Sequence, residues 1–164
     1  MAPLRAFIMS LSLLLGAVPA RAEGTSVPFG SFKADPTLPV EVVSESLDVN
    51  QADGSAEFIG KVVVTQGQMR LSADRVLVIY DQEAKGIERL EAEGNVLLVN
   101  GPEAAAEADR ADYTIDSGIV ILTGNVLLTQ GPSTLASNRA TVNLVSGTAS
   151  MEGRVKTILR TEQN

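Results

Sequence analysis

The sequence predicts an all-β fold in a single domain, built from repeated strand units that curve around a common interior. Three observations predict this fold class. An internal repeat runs through most of the chain, and apolar residues recur at every second position inside each copy. A length of 164 residues is enough for one packed domain but too short for two ordinary ones.

The N-terminus has the features of a cleavable signal peptide, which we expect to span residues 1–22. Arg5 supplies a positive charge, residues 6–18 (AFIMSLSLLLGAV) form an apolar run, and residues 20–22 (ARA) give a small-x-small cleavage pattern. A membrane span needs about 20 apolar residues, so the run is short for the alternative, an uncleaved anchor. The signal peptide predicts export.

Two regions follow the signal peptide. Residues 23–39 contain Gly, Pro and Ser without periodicity, which is typical of a flexible leader. From Val40 onward the chain becomes repetitive, and we expect residues 40–164 to form the folded domain.

The repeat is marked by pairs of glycines that bracket short apolar runs. Its copies are residues 60–67 (GKVVVTQG), 94–101 (GNVLLVNG) and 124–131 (GNVLLTQG), and a degenerate fourth copy begins at Gly153. The opening glycines are separated by 34, 30 and 29 residues. A period this constant predicts a repeated supersecondary unit.

Each copy has the pattern of β-strands. The positions two residues before, and two and four residues after, the opening glycine are mostly apolar, which places them on one face of a strand. A glycine inside a strand commonly marks a bulge or a sharp bend. Because the bend recurs at equivalent places, we expect the strands to curve together. Turn signals at residues 53–54, 117–118 and 146–147 separate the strands.

Two stretches conflict with this pattern. Residues 82–93 and 103–111 have a composition that favours helix. The second stretch lies inside a repeat whose other copies predict strand, so the repeat is given precedence over intrinsic propensity.

Composition argues against catalysis, metal binding and nucleic-acid binding. The chain has no cysteine and no histidine, and so lacks thiol nucleophiles, the commonest general base and the commonest metal ligand. Its net charge of −7 disfavours binding to phosphates. We expect no enzyme activity, no catalytic residue, no metal site, no cofactor and no nucleic-acid partner. A carbohydrate-active protein with two opposed carboxylates stays open as an alternative.

Three arginines occupy equivalent repeat positions, Arg75, Arg110 and Arg139. One interpretation is an acid–arginine pair on an exposed strand or turn, which contributes little to stability. The other is that some of them guide an anionic head group, together with Lys33, Arg70 or Lys156. The spacing does not decide between these interpretations.

Several runs are apolar on both faces of their predicted strands, among them residues 62–64, 96–99 and 126–128. A half-solvated strand would alternate apolar and polar residues. One face is therefore expected to pack a core and the other to meet a second sheet, a protein or a lipid, unless the outer face of a sandwich simply tolerates aliphatic residues.

Three segments resemble the OstA-like family, namely residues 46–49 (SLDV), 56–67 (AEFIGKVVVTQG) and 71–75 (LSADR). The resemblance extends over about residues 39–160. It implies an open, twisted antiparallel β-jelly roll whose interior holds the acyl chains of lipopolysaccharide. It also implies a periplasmic protein that stacks end to end, between an inner-membrane anchored transport component and an outer-membrane assembly component.

The resemblance implies a lipid-binding interior, and the repeat register selects the residues that would line it. These candidates are Phe58, Val62, Val64, Val76, Val78, Val96, Leu98, Tyr113, Ile115, Leu122, Val126 and Leu128. Head-to-tail self-association would use unpaired edge strands, expected at residues 40–49 and 153–160.

The predicted function is a bridge that binds lipopolysaccharide, shields its acyl chains and carries it from the inner to the outer membrane. The alternative is a structural β-module that scaffolds envelope proteins without binding lipid.

Overall fold

The computed structural model describes residues 25–28, 33–81, 83 and 86–158. The predicted signal peptide lies outside these residues. The regular elements of the described part are eleven β-strands: β1 (Thr25–Pro28), β2 (Glu41–Val43), β3 (Ser46–Asn50), β4 (Ser55–Gln66), β5 (Met69–Tyr80), β6 (Ile87–Asn100), β7 (Ala104–Thr114), β8 (Ile119–Gln130), β9 (Ser133–Asn143), β10 (Thr148–Glu152) and β11 (Lys156–Ile158). Over the same residues, no helix has the length and apolar character to cross a membrane.

All eleven strands belong to one antiparallel sheet. Its order is β1-β10-β9-β8-β7-β6-β5-β4-β2, while β3 also pairs with β4 and β11 also pairs with β9. Strands that follow one another in sequence from β4 to β10 are therefore neighbours in space, joined by short turns. The prediction of an all-β fold made of repeated strand units is confirmed.

The three strands that carry the repeat glycines are bent at two-residue bulges. Gly60 and Lys61 in β4 have φ of 84° and 46°, and the Gly–Asn pairs at 94–95 in β6 and 124–125 in β8 have closely similar values. The pairing register shifts at each of these sites. The bulges lie at the same level on alternate strands, so they form one line across the sheet, which we call the crease.

An acidic side chain on the neighbouring strand braces each central bulge. Asp74 lies against Gly94, where an added Cβ would be 2.5 Å from its Oδ2 atom. The same oxygen accepts a hydrogen bond from Asn95 Nδ2 at 2.7 Å. Asp109 repeats the arrangement, since it packs against the next bulge and accepts from Asn125 Nδ2 at 2.9 Å. The Asp of each Ala-Asp-Arg repeat therefore holds the bend of the following strand.

The crease continues to both ends of the sheet. Glu45, between β2 and β3, packs against Gly60 and forms an ion pair with Lys61 at 2.7 Å. At the other end Asn138 packs against Gly153, which lies between β10 and β11. Thus β2 and β3 are two parts of one interrupted strand, and so are β10 and β11.

The sheet folds over along the crease into two facing layers. Gln66 and Tyr113 show this directly, because Tyr113 Oη donates a hydrogen bond to Gln66 Oε1 at 2.8 Å. In a flat sheet the register would place Tyr113 level with Ala56, about 30 Å along β4 from Gln66. Only a folded sheet brings the two side chains together.

The two layers are named by their residues. The first layer contains β1, β3, β10 and residues 55–59, 75–80, 87–93, 110–114, 119–123 and 139–143. The second layer contains β2, β11 and residues 62–66, 69–73, 96–100, 104–108, 126–130 and 133–137. Opposite the crease, the turns that end the two layers lie on the same side of the molecule, and we call this side the mouth.

The apolar core lies between the layers, on a single face of the sheet. Along β8, Leu122 and Leu128 are fully buried, whereas the alternate residues Ile121 and Leu127 lie on the outer face and are half-buried. The other long strands alternate in the same way within each layer, and in β5, β7 and β9 the alternation shifts by one residue at the crease. The runs that are apolar on both faces therefore place one set of side chains in the core and the other set on the outer surface.

The stretches with helix-favouring composition are mostly strand in the part that the structure describes. Residues 104–114 form β7, which pairs with β6 on one side and β8 on the other. Residues 87–93 form the first half of β6. Pairing on both sides satisfies the backbone groups of these segments and outweighs a helix propensity of a few tenths of a kcal/mol per residue.

Replacing Gly94 with alanine tests the crease, with Gly101→Ala as the matched control. Both glycines have positive φ, 78° and 68°, so both substitutions introduce the same backbone strain of about 1 kcal/mol. Only the Cβ at position 94 collides with Asp74, whereas nothing lies within 4 Å at position 101. We expect Gly94→Ala to lower the free energy of unfolding by about 2 kcal/mol or more in a urea titration. Equal losses in the two variants would contradict the brace.

Candidate functional site

The interior between the layers contains all twelve side chains predicted to line it. Ten are at most 2% exposed: Val62, Val64, Val76, Val78, Val96, Leu98, Tyr113, Leu122, Val126 and Leu128. The other two, Phe58 and Ile115, are half-buried and pack against this core. The structure thus places the predicted set on one face. That these residues bind lipid stays a prediction.

Small residues make up a part of the interior that the sequence analysis missed. The inward positions of β7 are occupied by Ala104, Ala106, Ala108, Ala111 and Tyr113, each at most 7% exposed. Methyl groups take little room, so the opposite layer can approach β7 closely. The signal was present as alternate alanines within residues 103–111, although the composition of that stretch favours helix.

A polar contact joins the layers at the mouth. Gln66, the last residue of β4, is 1% exposed and accepts the hydrogen bond from Tyr113 of the first layer. Desolvation by burial raises the pKa of Tyr113 to about 12, so its hydroxyl stays protonated and donates. The sequence signal for this site is the amide that precedes each closing glycine of the repeat, namely Gln66, Asn100 and Gln130.

The segment of residues 33–40, which we call the strap, lies along the mouth. Gln66 Nε2 donates to the carbonyl oxygens of Pro36 at 3.1 Å and Leu38 at 2.9 Å. Asn100 Nδ2 donates to the carbonyl oxygen of Lys33 at 2.6 Å. On the first-layer side, the backbone N–H of Ala34 donates to the carbonyl oxygen of Leu144 at 2.8 Å. The strap therefore contacts both layers.

The region expected to be a flexible leader, residues 23–39, includes these strap residues and also β1. Its composition gave no sign of the contacts, because three of the four hydrogen bonds use the strap's backbone carbonyls and the fourth its backbone N–H. Every residue has a backbone carbonyl, so the composition of a segment does not indicate which carbonyls accept hydrogen bonds.

The sheet has two edges at which exposed apolar residues lie. At the N-terminal edge, β2 and β3 expose Val43, Leu47 and Val49, with Val49 63% exposed. At the C-terminal edge, Val155 and Ile158 are exposed beside and within β11. Residues 40–49 and 153–158 lie at edges of the sheet, as predicted. Residues 159–160 of the second predicted edge lie outside the described part.

The C-terminal edge is partly covered by the chain itself. Strand β1 pairs with β10 along residues 148–151 of the first layer. In the second layer, β11 pairs with β9. A strand of another molecule that adds to this edge would pair with β1 in the first layer and with β11 in the second layer.

The repeat arginines lie on the outer face among carboxylates. Arg110 forms ion pairs with Glu91 at 2.9 Å, with Asp112 at 2.7 Å and with Glu93. Hydrogen bonds from Arg89 and Arg110 hold the pKa of Glu91 below its usual range. Each surface pair of this kind contributes about 0–1 kcal/mol. The Arg110 geometry favours the interpretation as an acid–arginine pair.

Arg75 and Arg110 do not pair with the aspartates that directly precede them in the sequence. Arg75 pairs with Glu57 at 2.6 Å, on the adjacent strand, and Arg139 is exposed on β9. The adjacent acids Asp74 and Asp109 instead brace the crease. Each Asp–Arg pair lies between two inward residues, and neither member of the pair faces the core. The Asp contacts a glycine of the next strand, whereas the Arg contacts acids on the outer face. In the described part of the chain, no group of three or more acidic side chains is arranged to hold a metal ion.

Comparison with known proteins gives the relatives of this chain. A family model described as "LptA/(LptD N-terminal domain) LPS transport protein" matches residues 41–148. The lipopolysaccharide export system protein LptA of Escherichia coli K12 is 27% identical over 138 residues, which cover 81% of this chain and 73% of that protein. LptA of Haemophilus influenzae is 25% identical over 139 residues, which cover 79% of this chain and 81% of that protein.

A solved structure shares the fold. The crystal structure of LptH from Pseudomonas aeruginosa, described as the LptA-homologous periplasmic component of a lipopolysaccharide transport device, superimposes with a TM-score of 0.70. The match covers 78% of this chain and 99% of LptH at 19% sequence identity. The prediction of an open antiparallel β-jelly roll is confirmed.

The Tyr113–Gln66 contact predicts a pH dependence of stability. The pKa of Tyr113 is about 12 in the folded chain and about 10 in the unfolded chain. Its contribution to folding is complete below about pH 10 and decreases as the pH rises toward about 12, by up to about 1.4 kcal/mol per pH unit. Tyr113→Phe removes this dependence and leaves Gln66 Oε1 without its donor, which costs about 1–3 kcal/mol at neutral pH.

Urea titrations of both proteins between about pH 8 and about pH 11 test this prediction. The difference in unfolding free energy between wild type and Tyr113→Phe should shrink as the pH rises. A difference that is constant across this range would show that the hydroxyl is not desolvated.

Proposed function

The chain belongs to the LptA/LptD N-terminal domain family of lipopolysaccharide transport proteins, and we propose that it is a periplasmic bridge that holds acyl chains in its interior. The bridge would carry lipopolysaccharide from the inner to the outer membrane. A periplasmic location is supported by the description of LptH and by the signal-peptide pattern. Because the family consists of transport proteins, the expectation that the chain is not an enzyme is confirmed.

The observation that carries this proposal is the continuous apolar interior. It runs from β4 to β10 between the two layers, and its aliphatic side chains face one another across it. Burying each CH₂ group of an acyl chain there would stabilise the complex by about 0.8 kcal/mol relative to water. An acyl chain is therefore far more stable in such an interior than in the aqueous periplasm.

The crease explains how a filled interior could accept a lipid. The interior side chains are almost fully buried, so acyl chains need the two layers to move apart. Glycine tolerates many backbone conformations, so the bulges could act as hinges about which the layers move apart while the ladders within each layer stay paired. Such a movement would have to loosen the contacts of Asp74 and Asp109 at the crease. Contacts between the apolar side chains of the two layers would then be replaced by contacts between these side chains and the acyl chains.

Head-to-tail assembly is supported by the two edges. Strands β2 and β3 offer backbone groups and exposed apolar side chains at one end, and β11 offers them at the other. An edge strand adds readily to the edge of another sheet. One end would meet the inner-membrane anchored component and the other the outer-membrane assembly component, with further copies of this chain between them.

The packed interior also favours the alternative, a scaffold that assembles without binding lipid. In the structure the apolar side chains of the two layers fill the interior by themselves. The two functions differ in one observable, the contact between inward side chains and acyl chains.

Site-specific photocrosslinking in cells separates the two functions. A photoreactive phenylalanine analogue at Leu98, which faces inward, should form an adduct with lipopolysaccharide. The same analogue at Leu97, the adjacent residue on the outer face of the same strand, should not. Phe58 and Ile59 give a second matched pair, in which the inward residue is already aromatic.

Adducts at Leu98 and Phe58 but at neither neighbour are the expected result. The scaffold function would be supported instead if folded, exported variants formed no lipid adduct at either inward position.

Assembly through the N-terminal edge is tested by Val49→Lys. This substitution places a positive charge on an exposed edge position, where it should disfavour pairing with another sheet. Tyr80→Lys is the control, because Tyr80 is 42% exposed on β5, a strand that is paired on both sides and is not an edge. Sedimentation velocity over a range of concentrations should show weaker self-association for Val49→Lys than for Tyr80→Lys. Equal association of both variants with wild-type strength would exclude this edge.

A further inference from the structure

The strap, residues 33–40, occupies the place where a lipid head group would have to project. Acyl chains can lie in the apolar interior, but a sugar and phosphate head group has to remain in water. In a sheet folded along one crease, the layers can part toward water on the long side opposite it, which is the mouth. The strap lies along the mouth and is hydrogen-bonded to strand ends of the second layer and to a turn of the first layer.

The strap buries little apolar surface. Its exposed residues include Lys33, Asp35, Thr37 and Leu38, and Leu38 is 42% exposed. Ala34 and Val40 pack against the core, both half-buried. A segment with little buried apolar surface and a small number of hydrogen bonds opens at low free energy compared with the strands.

The two amides that hold the strap belong to the walls of the interior. Gln66 is shared between the strap and Tyr113, so that the strap and both layers meet at one side chain. Asn100 is 4% exposed at the end of β6 and binds the start of the strap. Release of the strap and separation of the layers therefore both break hydrogen bonds of Gln66.

We infer that the strap is a gate over the mouth, and that acyl chains enter the interior only when the strap has been displaced. This inference rests on the proposed function. It adds the route by which the lipid enters, and it identifies the strap as the segment that blocks this route. With the strap in place, a head group could not pass along the mouth while its acyl chains moved through the interior.

A disulfide that locks the strap tests the gate. Ala34→Cys with Leu144→Cys places two thiols on backbones joined by a hydrogen bond, and both native side chains face the core. The hydrogen bond makes the two residues neighbours, and disulfides join residues whose Cα atoms are about 4.4–6.8 Å apart. The chain contains no cysteine, so no native thiol interferes. The reduced form of the same protein is the matched control.

The measurement is the rate at which fluorescently labelled lipopolysaccharide is taken up from aqueous dispersion. Oxidation should slow uptake at least tenfold, and a reductant should restore it. Circular dichroism of both forms, and mass spectrometry of the bond, show that the fold is intact and the lock is closed.

A second variant tests the gate without a crosslink. Asn100→Ala removes the hydrogen bond to Lys33, which should raise uptake about fivefold by favouring the open strap. Gln51→Ala, which alters an exposed amide in the turn between β3 and β4, should leave uptake unchanged.

The outcomes separate the gate from the function on which it rests. Equal uptake by the oxidised and reduced proteins, or uptake unaffected by Asn100→Ala, would overturn the gate while leaving lipid binding intact. If neither wild type nor the reduced variant takes up lipopolysaccharide, the proposed function itself is wrong.

Discussion

The aligned glycine bulges are the constraint on which the rest of the structure depends. A Gly–X pair at positive φ in β4, β6 and β8 bends each of these strands at the same level. The brace from Asp74 and Asp109 fixes the bend from the neighbouring strand. Without the crease, the apolar face of the sheet would lie open to water. With it, that face closes on itself, and the sheet keeps one mouth and two free edges.

Much of this fold follows from the sequence because the repeat carries it. Period-two apolar residues set which face is buried, and Gly60, Gly94 and Gly124 mark the bends. The repeat also predicts strand for residues 103–111 despite their alanines and glutamates, and residues 104–114 form β7, since pairing with two neighbours decides the conformation there. All twelve predicted lining residues lie in the interior for the same reason.

The parts that the sequence does not predict depend on contacts between distant residues. The strap is held through backbone atoms by amides that are 28 to 67 residues away in the chain. The partner of Tyr113 is 47 residues away and becomes a neighbour only after the sheet folds. The role of Asp74 and Asp109 also needed the structure, because a neighbouring arginine suggests an ion pair and conceals the brace.

The central claim is that the two layers separate about the crease to admit acyl chains, and a distance across the mouth tests it most directly. Spin labels on cysteines introduced at Gln68 and Ser146 would report it, since both residues are exposed, in turns at opposite sides of the mouth. The account predicts that binding of lipopolysaccharide lengthens the distance between the labels. An unchanged distance in a protein that has bound lipopolysaccharide would contradict it.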